Sequence, residues 1–296
     1  MKLYRSILIF IFIIFSITFA KVKVVVSYPW IGYLVNEIGK DKVDVFILGK
    51  GTEDPHFIVP KPSYIAKLRN ADLLIIQGAS LEIGFIPALI SQANNPKIQP
   101  GNNGFLDLSK TVDLIEKPEK VSRAMGDVHP DGNPHYNLDP NNIPILANAI
   151  EMKLSQVDNS NSSFYKSNLQ IFLSKWNEKL KYWNEEFGKL RGSKVIEYHK
   201  KYDYLFTRYG IEIVETIEPL PGIPPTAKYI QEIISNSKSL NVKYVIVDVY
   251  NDKKAAQYVA QSIGAKFVVL PQDIGALPNV NDLFQLFDTI LNLLTK

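Results

Sequence analysis

Residues 161–190 read NSSFYKSNLQIFLSKWNEKLKYWNEEFGKL. Leu169, Phe172, Trp176, Leu180, Trp183, Phe187 and Leu190 follow one another in steps of three or four. That is the period of one face of an α-helix. No proline occurs between Pro144 and Pro219, so the spacing predicts one continuous helix over 161–190, about 45 Å long at 1.5 Å per residue. A helix of that length suits a strut joining two lobes. It also suits a long core helix of one domain, and periodicity alone does not separate the two.

Outward from this helix, both sides of the chain alternate strands and helices. On the N-terminal side, Val22–Val26, apolar except for Lys23, and Leu73–Ile76 are the apolar runs that mark strands buried on both faces. Val43–Leu48 and Phe105–Leu108 read as further strands, Trp30–Ile38 and Pro62–Arg69 as helices. Residues 117–134 lack an apolar period and carry Gly126, Pro130, Gly132 and Pro134, which predicts a long surface loop. Asp139-Pro140 reads as an N-cap followed by proline at the first helical position, opening a helix to about Val157. On the C-terminal side, strands are expected at Lys194–Tyr198, Ile211–Ile217, Val242–Val249 and Lys266–Leu270. Helices are expected at Tyr202–Tyr209, Thr226–Ser239, Lys254–Ile263 and Asp282–Leu294. The alternation implies an α/β fold of two lobes with parallel sheets flanked by helices. The expected division is 1–20 as a signal peptide, 21–160 as an N-terminal lobe, 161–191 as the linking helix and 192–296 as a C-terminal lobe.

Lys2 and Arg5 precede an apolar run from Ile7 to Phe15, and Thr18-Phe19-Ala20 resembles a small-x-small cleavage site. The run is too short for a comfortable membrane span, so a cleaved export signal is expected rather than a retained anchor. The 296 residues are 46% apolar and 21% charged, an ordinary globular composition. The formal charge of +3 gives no argument for nucleic acid. The chain has no cysteine, which removes disulfides, thiolate metal sites, a cysteine nucleophile and lipid attachment at an N-terminal cysteine. The expectation is an exported, periplasmic, monomeric protein that is not a lipoprotein.

With four histidines in the chain, each can be weighed. His56 follows the second strand, His135 precedes a helix in Gly132-Asn133-Pro134-His135-Tyr136, and His199 ends the strand at Lys194–Tyr198. Asp273 lies just past the strand ending at Leu270. Open α/β sheets gather ligands outside the carboxyl ends of their strands, so two candidates from each lobe could meet in the cleft between them. His129 reads as a solvated loop histidine, with capture of an entering ion or stabilisation of the closed loop as the sharper alternatives. Lys200-Lys201 reads as a solvated helix start. Tyr28 and Trp30 fit either a cleft lining or ordinary packing.

Asp54-Pro55-His56 with Pro60, Pro62-Ser63, Leu68 and Ala71-Asp72-Leu73-Leu74 resembles the first signature of the zinc/manganese-type (cluster A-I) substrate-binding proteins of ABC importers. Gly132-Asn133-Pro134-His135-Tyr136 with Leu138-Asp139-Pro140 resembles the second, and His199 with Tyr202, Leu205 and Tyr209-Gly210 the third. Glu218-Pro219 with Pro221-Gly222-Ile223, and Gln272-Asp273-Ile274-Gly275, resemble the remaining two. The resemblance implies two α/β lobes joined by one long helix, a metal in the cleft held by His56, His135, His199 and Asp273, and an ABC permease as partner. Two departures stand out: Asn137 occupies a position that is often aromatic, and the histidine- and acid-rich loop of some zinc-selective members is missing.

Three imidazoles and one carboxylate form a set that Zn²⁺ accepts tetrahedrally, whereas Mn²⁺ prefers more oxygen and a higher coordination number. Zn²⁺ is therefore expected ahead of Mn²⁺ as the transported ion. Two rivals are a secreted metal-dependent hydrolase and a siderophore- or vitamin-type binding protein. A catalytic zinc usually keeps one open position, which four protein ligands would close. A siderophore or vitamin site needs no converging histidines.

Overall fold

The computed structural model describes residues 20–120 and 129–295. All of the predicted signal segment except Ala20 lies outside them, as do residues 121–128 of the predicted loop. No helix among the described residues is long and apolar enough to cross a membrane.

The first sheet contains β1 (Val22–Val26), β2 (Val43–Ile47), β3 (Leu73–Ile76) and β4 (Phe105–Asp107), in the order β2-β1-β3-β4. The second contains β5 (Lys194–Glu197), β6 (Glu212–Thr216), β7 (Tyr244–Asp248) and β8 (Lys266–Leu270), in the order β6-β5-β7-β8. Every pairing is parallel. The same topology thus occurs twice without a sequence repeat. Leu73–Ile76 and Tyr244–Asp248 are buried throughout, as parallel strands covered on both faces must be.

The helices are α1 (Pro29–Gly39), α2 (Pro62–Arg69), α3 (Ile86–Ala93), α4 (Ile143–Val157), α5 (Ser162–Gly188), α6 (Asp203–Tyr209), α7 (Ala227–Ser237), α8 (Lys253–Ile263) and α9 (Leu283–Thr295). The predicted long helix is α5. Its 27 residues span about 40 Å. It packs on α1 and α4 on one side and on α6 and α9 on the other. Asn168 Nδ2 donates to the Ile38 carbonyl at 2.9 Å, and Trp183 Nε1 donates to Asp288 of α9 at 2.8 Å. Trp176 lies 4.9 Å from both Trp183 and Phe284, centroid to centroid. Strut and core helix are therefore one object: α5 crosses between lobes with its apolar face buried in a shared seam.

Two local expectations are corrected. Helix α4 starts at Ile143, with Pro144 in its first turn, not at Pro140. Asp139 instead accepts from the Asn141 backbone at 2.9 Å and forms an ion pair with Arg208 of α6; its carboxylate ties the lobes together rather than capping. Helix α3 was not expected. Pro87 in its first turn and Asn94 in the left-handed region at its end mark its limits.

Candidate metal centre

Parallel strands put the following loops at one end of each sheet. Loops after β2 and β5, and the turn before α4, bring His56, His199 and His135 to one point between the lobes. One ring nitrogen from each of the three lies within 4.8 Å of the other two. His135 and His199 are buried, and His56 is half-buried. The Nε2 atoms of His135 and His199 are 3.3 Å apart.

Each ring is aimed by its surroundings. Asp54 Oδ1 accepts from the His56 backbone N–H at 3.0 Å and lies 2.7 Å from its Nδ1. Burial pulls the Asp54 carboxyl up, but the two bonds to His56 together with the nearby His56 and Lys201 charges leave the group below its ordinary value. Glu218 Oε2 lies 2.5 Å from His199 Nδ1. A carboxylate on Nδ1–H fixes the tautomer whose Nε2 carries a free lone pair. The His135 backbone N–H donates to Asn133 Oδ1 at 2.9 Å. Gln77 braces the same turn, donating to the Pro134 carbonyl at 2.5 Å and to Asn137 Oδ1 at 3.1 Å. Asn137, the departure from the aromatic pattern, is thus buried and bonded. Gln77 is held in turn by Trp30 Nε1, which donates to its Oε1 at 2.9 Å, and Tyr28 donates to the Pro55 carbonyl at 2.8 Å. These two aromatics support the ligand loops.

Burial, then the Lys201 charge, holds His135 and His199 well below the ordinary histidine pKa. Both rings are neutral at neutral pH, as a metal ligand must be. Lys201 corrects the expectation of a solvated pair. Its neighbour Lys200 reaches Glu116 at the surface, but Lys201 is 1% exposed, 3.2 Å from Asp248 and over the Tyr250 ring.

Asp273 lies apart from the three-histidine group. It is buried, and its Oδ1 accepts from the Ile274 N–H at 2.6 Å. Burial raises its carboxyl to about 8. It faces His135 across a cavity of about 20 Å³ shared with Tyr28, Trp30 and Lys201. Its turn meets the His56 loop closely: Gln272 Nε2 donates to the Gly51 carbonyl at 2.6 Å, and any Cβ on Gly51 would collide with the Ile274 carbonyl oxygen.

His129 is the second correction. It is half-buried rather than solvated, stacked on His56 with centroids 5.2 Å apart and Nε2 atoms 3.2 Å apart. Burial, then the nearby His56 and His199, lowers it to about 3. Glu218 and Asp54 stood in the sequence motifs without a role. The Asp54-Pro55-His56 spacing, an Asx turn two residues before a ligand candidate, was the legible signal for one of them.

The comparisons bear on family and fold. A family model described as "ZnuA: Zinc-uptake complex component A periplasmic" matches residues 24–296. The chain is 26% identical over 261 residues to the high-affinity zinc uptake system protein ZnuA of Bacillus subtilis, covering 84% of this chain and 78% of that one. It is 25% identical over 243 residues to the manganese ABC transporter substrate-binding lipoprotein PsaA of Streptococcus pneumoniae, covering 81% and 76%. Among solved structures, a ZnuA crystal structure superposes with a TM-score of 0.70 at 23% identity, covering 93% of this chain and all of that one. A periplasmic metal binding protein from Candidatus Liberibacter asiaticus superposes with 0.74 at 20% identity, covering 92% and 98%. With the family model spanning both sheets and α5, the chain belongs to the ZnuA family of periplasmic zinc-uptake complex components.

Proposed function

We propose that this protein is an extracytoplasmic solute-binding protein that captures one divalent transition metal and delivers it to an ABC permease for import, with Zn²⁺ preferred to Mn²⁺. The observation that carries the reading is the meeting of His56, His135 and His199 between the lobes, with Asp54 and Glu218 on the far nitrogens of two of them. A tetrahedral ion with bonds of about 2.0–2.1 Å sets its donors about 3.3–3.4 Å apart. The His135–His199 separation of 3.3 Å matches that edge. Imidazole-rich sites suit zinc, whereas manganese favours carboxylate and water oxygens.

The three imidazoles are the proposed ligands, and the bound ion is cargo. Nothing in this role requires chemistry on a bond; the protein is proposed as a carrier and not an enzyme. Family membership supports the transport role, and relatives named for zinc and for manganese make the choice of ion a matter for measurement. Chelator competition with Zn²⁺ and Mn²⁺ on the protein purified free of metal tests it. The expected result is one ion per chain, bound more tightly than micromolar, with Zn²⁺ ahead. Binding no tighter than micromolar for either ion would refute the reading.

A further inference from the structure

Given that the three imidazoles bind a metal, we infer that His129 is a fourth imidazole ligand of the same ion, supplied by the loop before α4 in place of the Asp273 carboxylate. The His56–His129 pair repeats the geometry of the His135–His199 pair. The Nε2 atoms stand 3.2 Å apart in one and 3.3 Å in the other, both near the edge of a tetrahedral site. Two neutral imidazoles offering lone pairs at this distance repel each other unless a proton or a cation lies between them. Three of the four rings converge within 4.8 Å; His129 stands just outside that group, stacked on His56 and 6.5 Å from the His135 ring, centroid to centroid, so a cation shared by all four draws the His129 ring inward.

His129 is also placed by contacts of its own. The Ala79 backbone lies against its ring. Ser80 Oγ and Asp131 Oδ2 are 3.2 Å apart, and the Gly132 N–H donates to the His129 carbonyl at 3.2 Å, closing the turn. Ala79 and Ser80 both have positive φ, 51° and 64°. Consecutive residues with a Cβ rarely adopt that conformation, and its strain is typical of turns that hold a functional group in place. Farther along, Asn133 donates to the Lys200 carbonyl at 3.1 Å, and its own carbonyl accepts from Tyr204 at 2.7 Å. The segment is therefore fastened to both lobes. His129 also lines a cleft of about 720 Å³ together with His135, His199 and Glu218, so three of the four imidazoles open onto the same space.

The Asp273 carboxylate, by contrast, lies outside the three-histidine group, separated from His135 by the small cavity, with its Oδ1 taken by the Ile274 N–H. Replacing it with His129 changes the donor set from three nitrogens and an oxygen to four nitrogens. That set moves selectivity further toward Zn²⁺ and away from Mn²⁺.

X-ray absorption at the zinc edge, which counts imidazoles by their outer-shell scattering, combined with chelator competition, tests the inference on the wild type, His129→Ala, His129→Asp and Asp273→Asn. The wild type should show four imidazoles and His129→Ala three. Changing a group that only orients a ligand typically costs 10–100-fold in affinity, so losing a ligand should weaken Zn²⁺ binding by about a hundredfold or more. His129→Asp should regain part of the affinity and shift the Zn²⁺/Mn²⁺ ratio toward Mn²⁺, an outcome that simple loop damage does not produce. Three imidazoles in a wild type that binds zinc, or a greater loss for Asp273→Asn than for His129→Ala, would overturn the four-histidine site and leave the metal-binding reading intact. A wild type that binds no metal would overturn both.

Discussion

Glu218 should control affinity without touching the ion. Its carboxylate lies 2.5 Å from His199 Nδ1, and both side chains are about nine-tenths buried. Burial raises the carboxyl to about 7, so the group sits in a dry environment where its bond to the ring is strong. Glu218→Leu frees Nδ1, lets the imidazole choose the other tautomer and removes a negative charge one ring away from the cation. Losses for groups in this position run about 10–100-fold, or about 1.4–2.7 kcal/mol. The effect reads out as heat stability. A ligand at a thousandfold excess over its dissociation constant stabilises by about 4 kcal/mol. A 30-fold weaker site at the same concentration retains about 2 kcal/mol. At about 2–4 °C per kcal/mol for a chain this long, the metal-induced rise in Tm should shrink by roughly 4–8 °C in Glu218→Leu. Glu218→Gln, which keeps an acceptor, should lie between the two. Scanning calorimetry with and without Zn²⁺ measures all three proteins. A metal-induced shift in Glu218→Leu equal to the wild type's would show that the carboxylate does not set the ring, and the account of the site's geometry would fail.

Other outcomes can be checked on the same protein. His56→Ala, His135→Ala and His199→Ala should each lower Zn²⁺ affinity by about a hundredfold or more, since each removes a bond rather than a support; isothermal titration gives the constants. Lys201→Met leaves Asp248 buried without its partner and should cost about 3–5 kcal/mol in urea unfolding, whereas Lys200→Met at the surface should cost less than about 1 kcal/mol. The metal-free protein should lose stability between pH 6.5 and pH 8. Burial raises Glu82, Asp203 and Glu218 to about 7 and Asp273 to about 8, so these groups hold protons when folded that they release when unfolded. The stability they allow is present at low pH and falls as pH rises through those values. The lowered histidines act in the opposite direction, taking protons only when unfolded; they are half titrated at 6.5 and offset about 1 kcal/mol of this loss across the window. The net loss is about 2–3 kcal/mol, and a urea midpoint in chelator that stays level or rises from pH 6.5 to pH 8 would contradict it.

The central strands were the most legible because they are covered on both faces: Leu73–Ile76 and Tyr244–Asp248 are buried throughout, whereas β2, β4 and β6, at sheet edges, are mostly half-buried. The stripe from Leu169 to Leu190 made α5 visible for a similar reason, since a helix touching two lobes must be apolar along its whole length. Helix α3, no shorter than the predicted α2, lies between the strands Leu73–Ile76 and Phe105–Asp107 in a stretch to which the sequence reading assigns no element. The residues around the site divide in the same way. His56, His135 and His199 stood out by position, at the ends of strands and before a helix. Lys201 did not, because nothing local distinguishes it from Lys200. Its burial is decided by Asp248 and Tyr250, far along the chain. His129 was misread for the same reason: a histidine between a valine and a proline in a loop reads as solvated until the Ala79–Ser80 turn and His56 are seen against it.

The arrangement of lobes bears on how such a site can let go of its cargo. Sheets of identical topology could in principle swing apart, but α5 buries Trp176 and Trp183 against Phe284 and Phe287 of α9 while holding α1 and α4 on its other side. Opening the cleft widely would break that aromatic seam. Each buried aromatic contributes about 2–3 kcal/mol of burial, so the cost is of the order of the whole protein's stability. Bonds from Gln272 to Gly51, Asn133 to Lys200 and Asp139 to Arg208 add further ties between the lobes around the histidines. Metal capture therefore need not compact the molecule, and small-angle scattering of the metal-free and metal-loaded protein should give nearly the same radius of gyration. A large compaction on loading would mean that the seam yields and that the helix is not a strut. If the seam holds, release has to come from the ligand loops, whose hydrogen bonds are individually worth about 1 kcal/mol and can be exchanged for bonds to a docked permease one at a time. In that view the long helix confines motion to the segments carrying His56, His129 and Asp273, while His199 stays fixed at the end of its buried strand.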